Sequence, residues 1–398
     1  MWSRVSAITA GLPLNSYIAN LGPAVLCLAA ASAVASDANM LPGSDEIVAT
    51  ETAVIDVAAV ADIEMLLERL ADRRVVFVGE SHDRYEDHLN QLAIIAGLQA
   101  QGKDLAIGME FFQQPFQSHL DAFVAGALSE ADFLRQTEYF ERWRFDYRLY
   151  RPILRFARDN EIPLVALNLE KEITDQVGDG GIKSLSAEHS SRIPADIDRD
   201  DEDYRNHIKA VFDMHPKGDD AVFEHFLDVQ LLWDEGMAER AARYLEANPG
   251  KTLVVLAGAG HVEYGRGIPA RVQRRLPVPA ATVINGTLRP FDPELADYIL
   301  FPRQVELPAT GLLGVMLDTE SEGEGIGVQG FSEDSGAKTA GVAEGDRIVR
   351  VGNTDIDSYA DIRIALMDSR PGQRLPVEIL RKPLLGGPER MTFEVELN

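Results

Sequence analysis

Four apolar runs in this chain each end on residues that can hold a proton or a cation: Gly79-Glu80-Ser81-His82, Met109-Glu110, Leu167-Asn168 and Gly258-Ala259-Gly260-His261. Two carboxylates and two imidazoles gathered in one place could bind a hard or borderline divalent metal, or activate a water as general base and acid. Glu80 and His82 are two residues apart, so an extended backbone sends both side chains to one side. Glycines flanking Ala259 permit close backbone approach at His261. The plainer alternative is that Glu80 accepts N–H groups at a helix start and that His82 is a buried, hydrogen-bonded histidine. A second tier comprises Asn168, Gln230 and Asp234, with His215 in the loop Met214-His215-Pro216. Gln230 and Asp234 are four apart on a helical stretch and share a face. His88 follows the first motif on the next helical stretch and is placed to support it.

These residues need a scaffold that brings distant segments together. The run VVFVG over 75–79 is continuously apolar, as a strand covered on both faces must be, which implies a parallel sheet. Further strands are expected over 105–108, 164–166, 252–257 and 281–285. They alternate with helices over 61–70, 85–100, 117–140, about 150–160 and 220–247. Such alternation predicts an α/β fold, and in an open parallel sheet the carboxyl ends of the strands face one edge, where ligands bind. Residues 170–218 are polar and broken by Gly and Pro, and they read as an insertion or cap. Pro290, Pro293, Pro302 and Pro308 punctuate the stretch before a change of character at Gly311. From there short strands over 313–317, 325–331, 346–351, 375–381 and 391–397 alternate with glycine turns and one helix over 359–367.

Composition narrows the chemistry. The chain has 398 residues, 45% hydrophobic and 26% charged, in the range of an ordinary globular protein of two or three domains. A formal net charge of -26 repels nucleic acid and anionic lipid, so neither is expected as a partner. The acidic tract over 196–203 reads as a solvated loop. Within the first 35 residues Arg4 is the only charged residue, and the apolar run 21–34 ends in Ala33-Val34-Ala35, small where a signal peptidase reads. A cleaved signal peptide over 1–35 and export to the periplasm or envelope are expected, with an uncleaved anchor as the alternative. Leu26 is bulky for lipoprotein processing at Cys27. Because Cys27 is the only cysteine, cleavage removes disulfides, thiolate ligands and cysteine nucleophiles from consideration.

The motifs quoted above, together with His88, Gln91, Phe111-Phe112, Trp143, Tyr147, Tyr150-Arg151-Pro152, Gln230, Trp233-Asp234 and Met237-Ala238, resemble the ChaN-like family of haem-binding uptake proteins, related to Tiki metalloproteases and erythromycin esterases. The resemblance implies an α/β domain over 36–300 with a mostly parallel sheet flanked by helices, and a family position for His215. It also implies haem binding for iron uptake, with Tyr147 and Tyr150 as candidate iron ligands, and haem sandwiched between subunits of a homodimer. The related enzymes imply a metal-dependent hydrolase or protease using Glu80, His82, Glu110 and His261, with a divalent ion as the alternative cofactor. After a linker over 301–310, residues 311–398 resemble a small, β-rich PDZ domain through Leu312-Leu313-Gly314-Val315, Ser335-Gly336-Ala337, Gly341-Val342 and Gly345-Asp346-Arg347-Ile348. In that reading the backbone at Leu313, Gly314 and Val315 holds the carboxylate of a partner protein's C-terminus while the peptide adds as a strand.

Overall fold

The computed structural model describes residue 60 and residues 62–214, 220–287, 289–383 and 387–398. The expected signal peptide and His215 lie outside the described residues. The sheet of the first domain contains β1 (Val75–Glu80), β2 (Leu105–Gln113), β3 (Leu164–Asn168), β4 (Thr252–Gly258), β5 (Ala280–Asn285) and β6 (Tyr298–Leu300). Its order is β3-β2-β4-β1-β5-β6, and every pairing is parallel. Every residue of β1 and of β4 is buried, which explains why both segments are apolar without alternation. The central pair β4-β1 therefore delivers Gly258 and Glu80 opposite each other at the carboxyl edge.

Helices cover both faces: α1 (Ile63–Leu70), α2 (Tyr85–Ala100), α3 (Gln117–Val124), α4 (Glu130–Gln136), α5 (Tyr139–Arg142), α6 (Tyr147–Asp159), α7 (Lys171–Gly180), α8 (Ala187–Ser190), α9 (Glu202–Asp213), α10 (Asp220–Ala247) and α11 (Ile268–Arg275). Met237, Ala238, Ala241 and Leu245 of α10 pack into one core cluster with Val75, Phe77, Leu253 and Val255 of the sheet. The single helix expected over 117–140 is three helices. Gly126 at φ 70° breaks the first junction, and Glu138 at φ 50° turns the chain between α4 and α5. Arg144, at φ 71°, turns it again before α6, whose N-cap Asp146 accepts from Arg148 N at 3.0 Å. The segment from Glu138 to Arg144 is thus bracketed by two left-handed non-glycine residues.

No regular element occupies 301–314. The second sheet contains β7 (Val315–Asp318), β8 (Ile326–Phe331), β9 (Arg347–Val351), β10 (Thr354–Asp355), β11 (Arg374–Arg381) and β12 (Glu389–Glu396), with helices α12 (Gly336–Ala340) and α13 (Tyr359–Leu366). It is antiparallel in the order β12-β11-β9-β8-β7, with β10 on β9, around a core that includes Leu313, Val328, Ile348, Val377 and Val395. A capping box between Ser358 and Asp361 starts α13.

Residues Asp62–Asn398 form one compact unit in which helices and loops of the two domains touch. Arg135 of α4 donates to Asp361 at 2.7 Å, Arg151 of α6 pairs with Asp368, and Arg148 donates to the Pro308 carbonyl at 2.7 Å. The Arg363 guanidinium of α13 lies 5.4 Å from the centre of the Phe140 ring and 5.9 Å from that of Tyr359. One side of α13 is therefore tied to α4 and α5.

Candidate functional site at the carboxyl edge of the parallel sheet

Glu80 leaves β1 with its carboxylate buried and accepts from several directions. His82 Nδ1 donates to Oε1 at 2.9 Å, the Tyr150 hydroxyl to Oε1 at 2.8 Å, and Gln91 Nε2 to Oε2 at 2.7 Å, with His88 Nδ1 3.1 Å from Oε2. Burial alone would push this carboxyl up. The His88 charge and the hydrogen bonds from His82 and His88 outweigh it and hold the group far below the usual carboxylate range. His88 also donates through Nε2 to the His82 carbonyl at 3.2 Å, fixing the turn that carries His82.

His82 is the open member of this group. Its side chain is 23% exposed, its ring lies 4.8 Å from that of Trp143 and 4.9 Å from that of Phe145, and its Nε2 has no hydrogen-bond partner among the described residues. A Cβ on Gly258 would sit 2.9 Å from Cε1 and 3.0 Å from Nε2, so the ring occupies the space that the missing methyl leaves. Burial lowers the His82 pKa, but the Glu80 hydrogen bond and the charge of Glu110 raise it above the ordinary imidazole value.

The second half of the site sits across β4. Glu110, near the end of the buried part of β2, accepts from Gly258 N at 2.6 Å and lies 3.4 Å from His261 Nε2. His261 Nδ1 donates to Asp234 of α10 at 2.7 Å, and the Tyr204 hydroxyl of α9 donates to the other Asp234 oxygen at 2.6 Å. The guanidinium of buried Arg271 stacks 4.0 Å over the Tyr204 ring. Burial would lower the His261 pKa, but Asp234 and Glu110 on either side lift it well above the ordinary value. In turn His261 and His82, with the Gly258 N–H, hold Glu110 low against its own burial.

The structure thus brings Glu80, His82, Glu110, His261 and Asp234 to one edge. His88, Gln91 and Tyr150 complete the first half, and Tyr204 the second. It leaves Asn168 and Gln230 outside that hydrogen-bond network. Asn168 ends the edge strand β3, and its side chain accepts from the next residue, Leu169 N, at 2.9 Å, while the Gln230 side chain has no hydrogen bond among the described residues. Tyr147 and Tyr150 are both fully buried, and their hydroxyls donate to Glu130 at 3.0 Å and Glu80 at 2.8 Å. Burial and those carboxylates push both phenols well above their ordinary pKa, so neither is a phenolate as placed. Tyr204 carried no signal, because it lies in the polar insertion; the two carboxylate-facing roles of His88 and Gln91 could be read from their helical spacing after His82. Among the described residues no group of three His, Cys, Asp or Glu side chains is arranged to hold a metal ion. Of the three imidazoles, His88 and His261 have both nitrogens engaged. Only the His82 Nε2 is available to a ligand.

At the other end of the chain, β7 is the free edge of its sheet. Gly314 has φ 71°, and its carbonyl accepts from Ser332 N at 3.0 Å, while the Leu313 carbonyl accepts from Ala337 N at 3.0 Å. The N–H groups of Leu313 and Gly314 have no acceptor among the described residues. The loop therefore presents backbone donors where a carboxylate could be received.

Residues 66–272 match a family described as haem-binding uptake, Tiki superfamily, ChaN, and residues 311–397 match the PDZ domain. The protein RETICULATA-RELATED 5, chloroplastic, of Arabidopsis thaliana is 25% identical over 248 residues, 56% of this chain and 32% of that protein. The chain thus spans about a third of the length of the curated relative it matches. Among solved structures, ChaN of Campylobacter jejuni, described for cofacial haem binding, is 17% identical and covers 59% of this chain and 90% of its own, with a TM-score of 0.49. An erythromycin esterase in its open conformation is 14% identical over 74% of this chain and 86% of its own, with a TM-score of 0.36.

Proposed function

The chain belongs to the haem-binding uptake family of the Tiki superfamily, ChaN, and on that premise we propose that it is an exported haem-binding protein whose PDZ domain docks a partner's C-terminus. The single observation that supports this most is the open Nε2 of His82. Glu80 engages Nδ1–H and so orients the ring with Nε2 outward; iron binding there would displace the Nε2 proton that the raised pKa favours, leaving the arrangement in which a carboxylate orients a metal-ligating imidazole. Trp143 and Phe145 give that nitrogen an apolar, aromatic surround of the kind haem needs. His82 would hold the iron, and Trp143 and Phe145 would pack the macrocycle and exclude water. Bound haem supplies an iron centre for transfer or storage. Tyr147 or Tyr150 as ligand would require breaking the bond to Glu130 or Glu80. Export rests on the apolar run over 21–34 and its Ala33-Val34-Ala35 end, and a homodimer on the family alone.

Titration with haemin, followed by the Soret band, tests the reading. Saturable binding lost in His82→Ala and retained in Tyr147→Phe and Tyr150→Phe is expected. Loss in a tyrosine variant with retention in His82→Ala moves the ligand, and absence of any Soret shift in the wild-type protein ends the haem reading.

A metal-dependent hydrolase is the second reading, favoured by one observation: His261 is held between Asp234 and Glu110 in the manner of an oriented acid–base residue. Among the described residues no three-ligand group is arranged, so this reading calls for side-chain movement on metal binding. Ester or peptide turnover lost in His261→Asn, together with stoichiometric metal in the same sample, would replace the first reading.

A further inference from the structure

The groove beside β7 carries information about what it binds, and the inference that follows rests on the reading of that groove as a receptor for a C-terminus. Val315 and Phe331 face each other, and the neighbouring bond from Ser332 N to the Gly314 carbonyl makes them a pair without mutual hydrogen bonds. The Val315 N–H and carbonyl therefore point to the open edge of the sheet. A peptide whose carboxylate meets the N–H groups at Leu313 and Gly314 must run antiparallel to β7, so that its successively earlier residues lie from Val315 toward Asp318. Its start lies beside Val315 and Leu317, half-buried side chains on the face of β7 that packs with Ile362 and Leu366 of α13. They suit an apolar last residue.

Where that peptide goes next is fixed by the length of β7. At about 3.4 Å per residue, the position roughly three before the terminus comes level with Asp318, and those roughly four to seven before it run beside the loop 319–325. This loop is acidic, with Glu320, Glu322 and Glu324 following Asp318. Its nearest cations are already committed. Arg347 braces the loop from inside, donating to Ser321 Oγ at 2.7 Å and to the carbonyls of Glu324, Gly323 and Gly325, and Arg390 pairs with Glu324. Glu320 and Glu322 are exposed and have no ion pair among the described residues. The other wall, α13, has its cations occupied too: Arg363 lies over Phe140 and donates to the Tyr359 hydroxyl at 3.1 Å. The path beyond the carboxylate loop is thus apolar first and negative afterwards.

We propose that the β7 groove takes a protein C-terminus with an apolar last residue and a basic stretch roughly four to seven positions before it. The apolar residue packs against Val315 and Leu317, the strand bonds along β7 hold the middle, and the basic stretch neutralises Glu320 and Glu322.

The full chain is titrated with fluorescent decapeptides ending in a free valine carboxylate, one with a lysine triplet at the upstream positions, one with a glutamate triplet, and the lysine peptide with an amidated end. The lysine peptide is expected to bind about tenfold more tightly than the glutamate peptide, since several exposed ion pairs of modest strength add up to that ratio. The gap should narrow in Glu320→Gln/Glu322→Gln and in high salt, and persist in Glu246→Gln, which removes an acid of α10 and so controls for overall charge. Equal affinity of the two free-acid peptides, with the amidated one weaker, overturns this inference and leaves the groove reading standing. Equal binding of free-acid and amidated peptides, or binding of none, sinks the groove reading and the inference with it.

Discussion

At the edge of the parallel sheet, His82, His88, Gln91 and Tyr150 converge on one buried carboxylate, whereas along β7 the available donors are backbone N–H groups at the surface. The first region is built from residue types at defined positions, and its Glu80 carboxylate is already satisfied internally while His82 Nε2 stays open. The second is built from backbone shape, with a left-handed glycine and an open strand edge, and its donors await an acceptor. A region of the first kind fails when a side chain is lost, because buried partners are stranded; one of the second kind fails only when the main chain is reshaped.

The largest effect that sharpens this contrast is expected from Glu80→Ala. Removing the acceptor leaves buried donors and imidazolium groups unpaired, and urea unfolding should register a loss of about 3–5 kcal/mol. Peptide binding by the folded fraction should be unchanged; a parallel loss would break the distinction between the regions.

A pH series separates them next. His261 has a raised pKa, so its contribution is full below the ordinary imidazole value of 6.5 and is lost as pH rises through the folded value. Glu110 has a lowered pKa, so its contribution is full above 4.5 and is lost as pH falls through the folded value. Urea midpoints should therefore be highest between these limits and fall on the alkaline side, and His261→Gln should flatten that alkaline fall. An unchanged slope in the variant would place the pH dependence elsewhere.

Two glycines give smaller, opposite tests. In Gly258→Ala the new methyl would meet His82 at 2.9 Å, so a cost of about 1–3 kcal/mol and weakened haemin binding are expected, with peptide affinity intact. In Gly314→Ala the residue would stand at φ 71° with its Cβ 2.6 Å from Ser335 Cα, so a cost of about 1–2 kcal/mol and weakened peptide binding are expected, with haemin binding intact. Fluorescence titrations of both ligands against both variants would read the crossing. The smallest effect belongs to the contact between the regions: Arg135→Ala removes a partly exposed pair with Asp361 and should cost about 0.2–1 kcal/mol in thermal or urea unfolding.

The same contrast explains what could be read from the sequence. The strands of the parallel sheet were legible because they are buried on both faces, so their apolar runs coincide with β1 and β4 to within a residue. Glu80, His82, Glu110 and His261 were legible as a set because parallel strands must end at a common edge. Tyr204 was not, since nothing in a polar insertion reveals which residue folds back on Asp234. The burial of Tyr147 and Tyr150 agrees with the core packing that an aromatic stretch favours over haem ligation, but their bonds to Glu130 and Glu80 carried no signal in the sequence. The division of 117–140 into three helices depends on the left-handed turn at Glu138, a residue type that gives no warning of it. In the second sheet the glycine turns were visible, and the element bounds follow them closely.

One further consequence follows from the attachment of α13 to the parallel-sheet domain. Its rear face is committed to Arg135 and Phe140, so a substitution that retunes that helix disturbs two domains at once. The opposite wall has no such obligation. Variation in partner choice among chains with this architecture should therefore accumulate in β7 and the turn after it, while the helix stays the conservative half of the cleft.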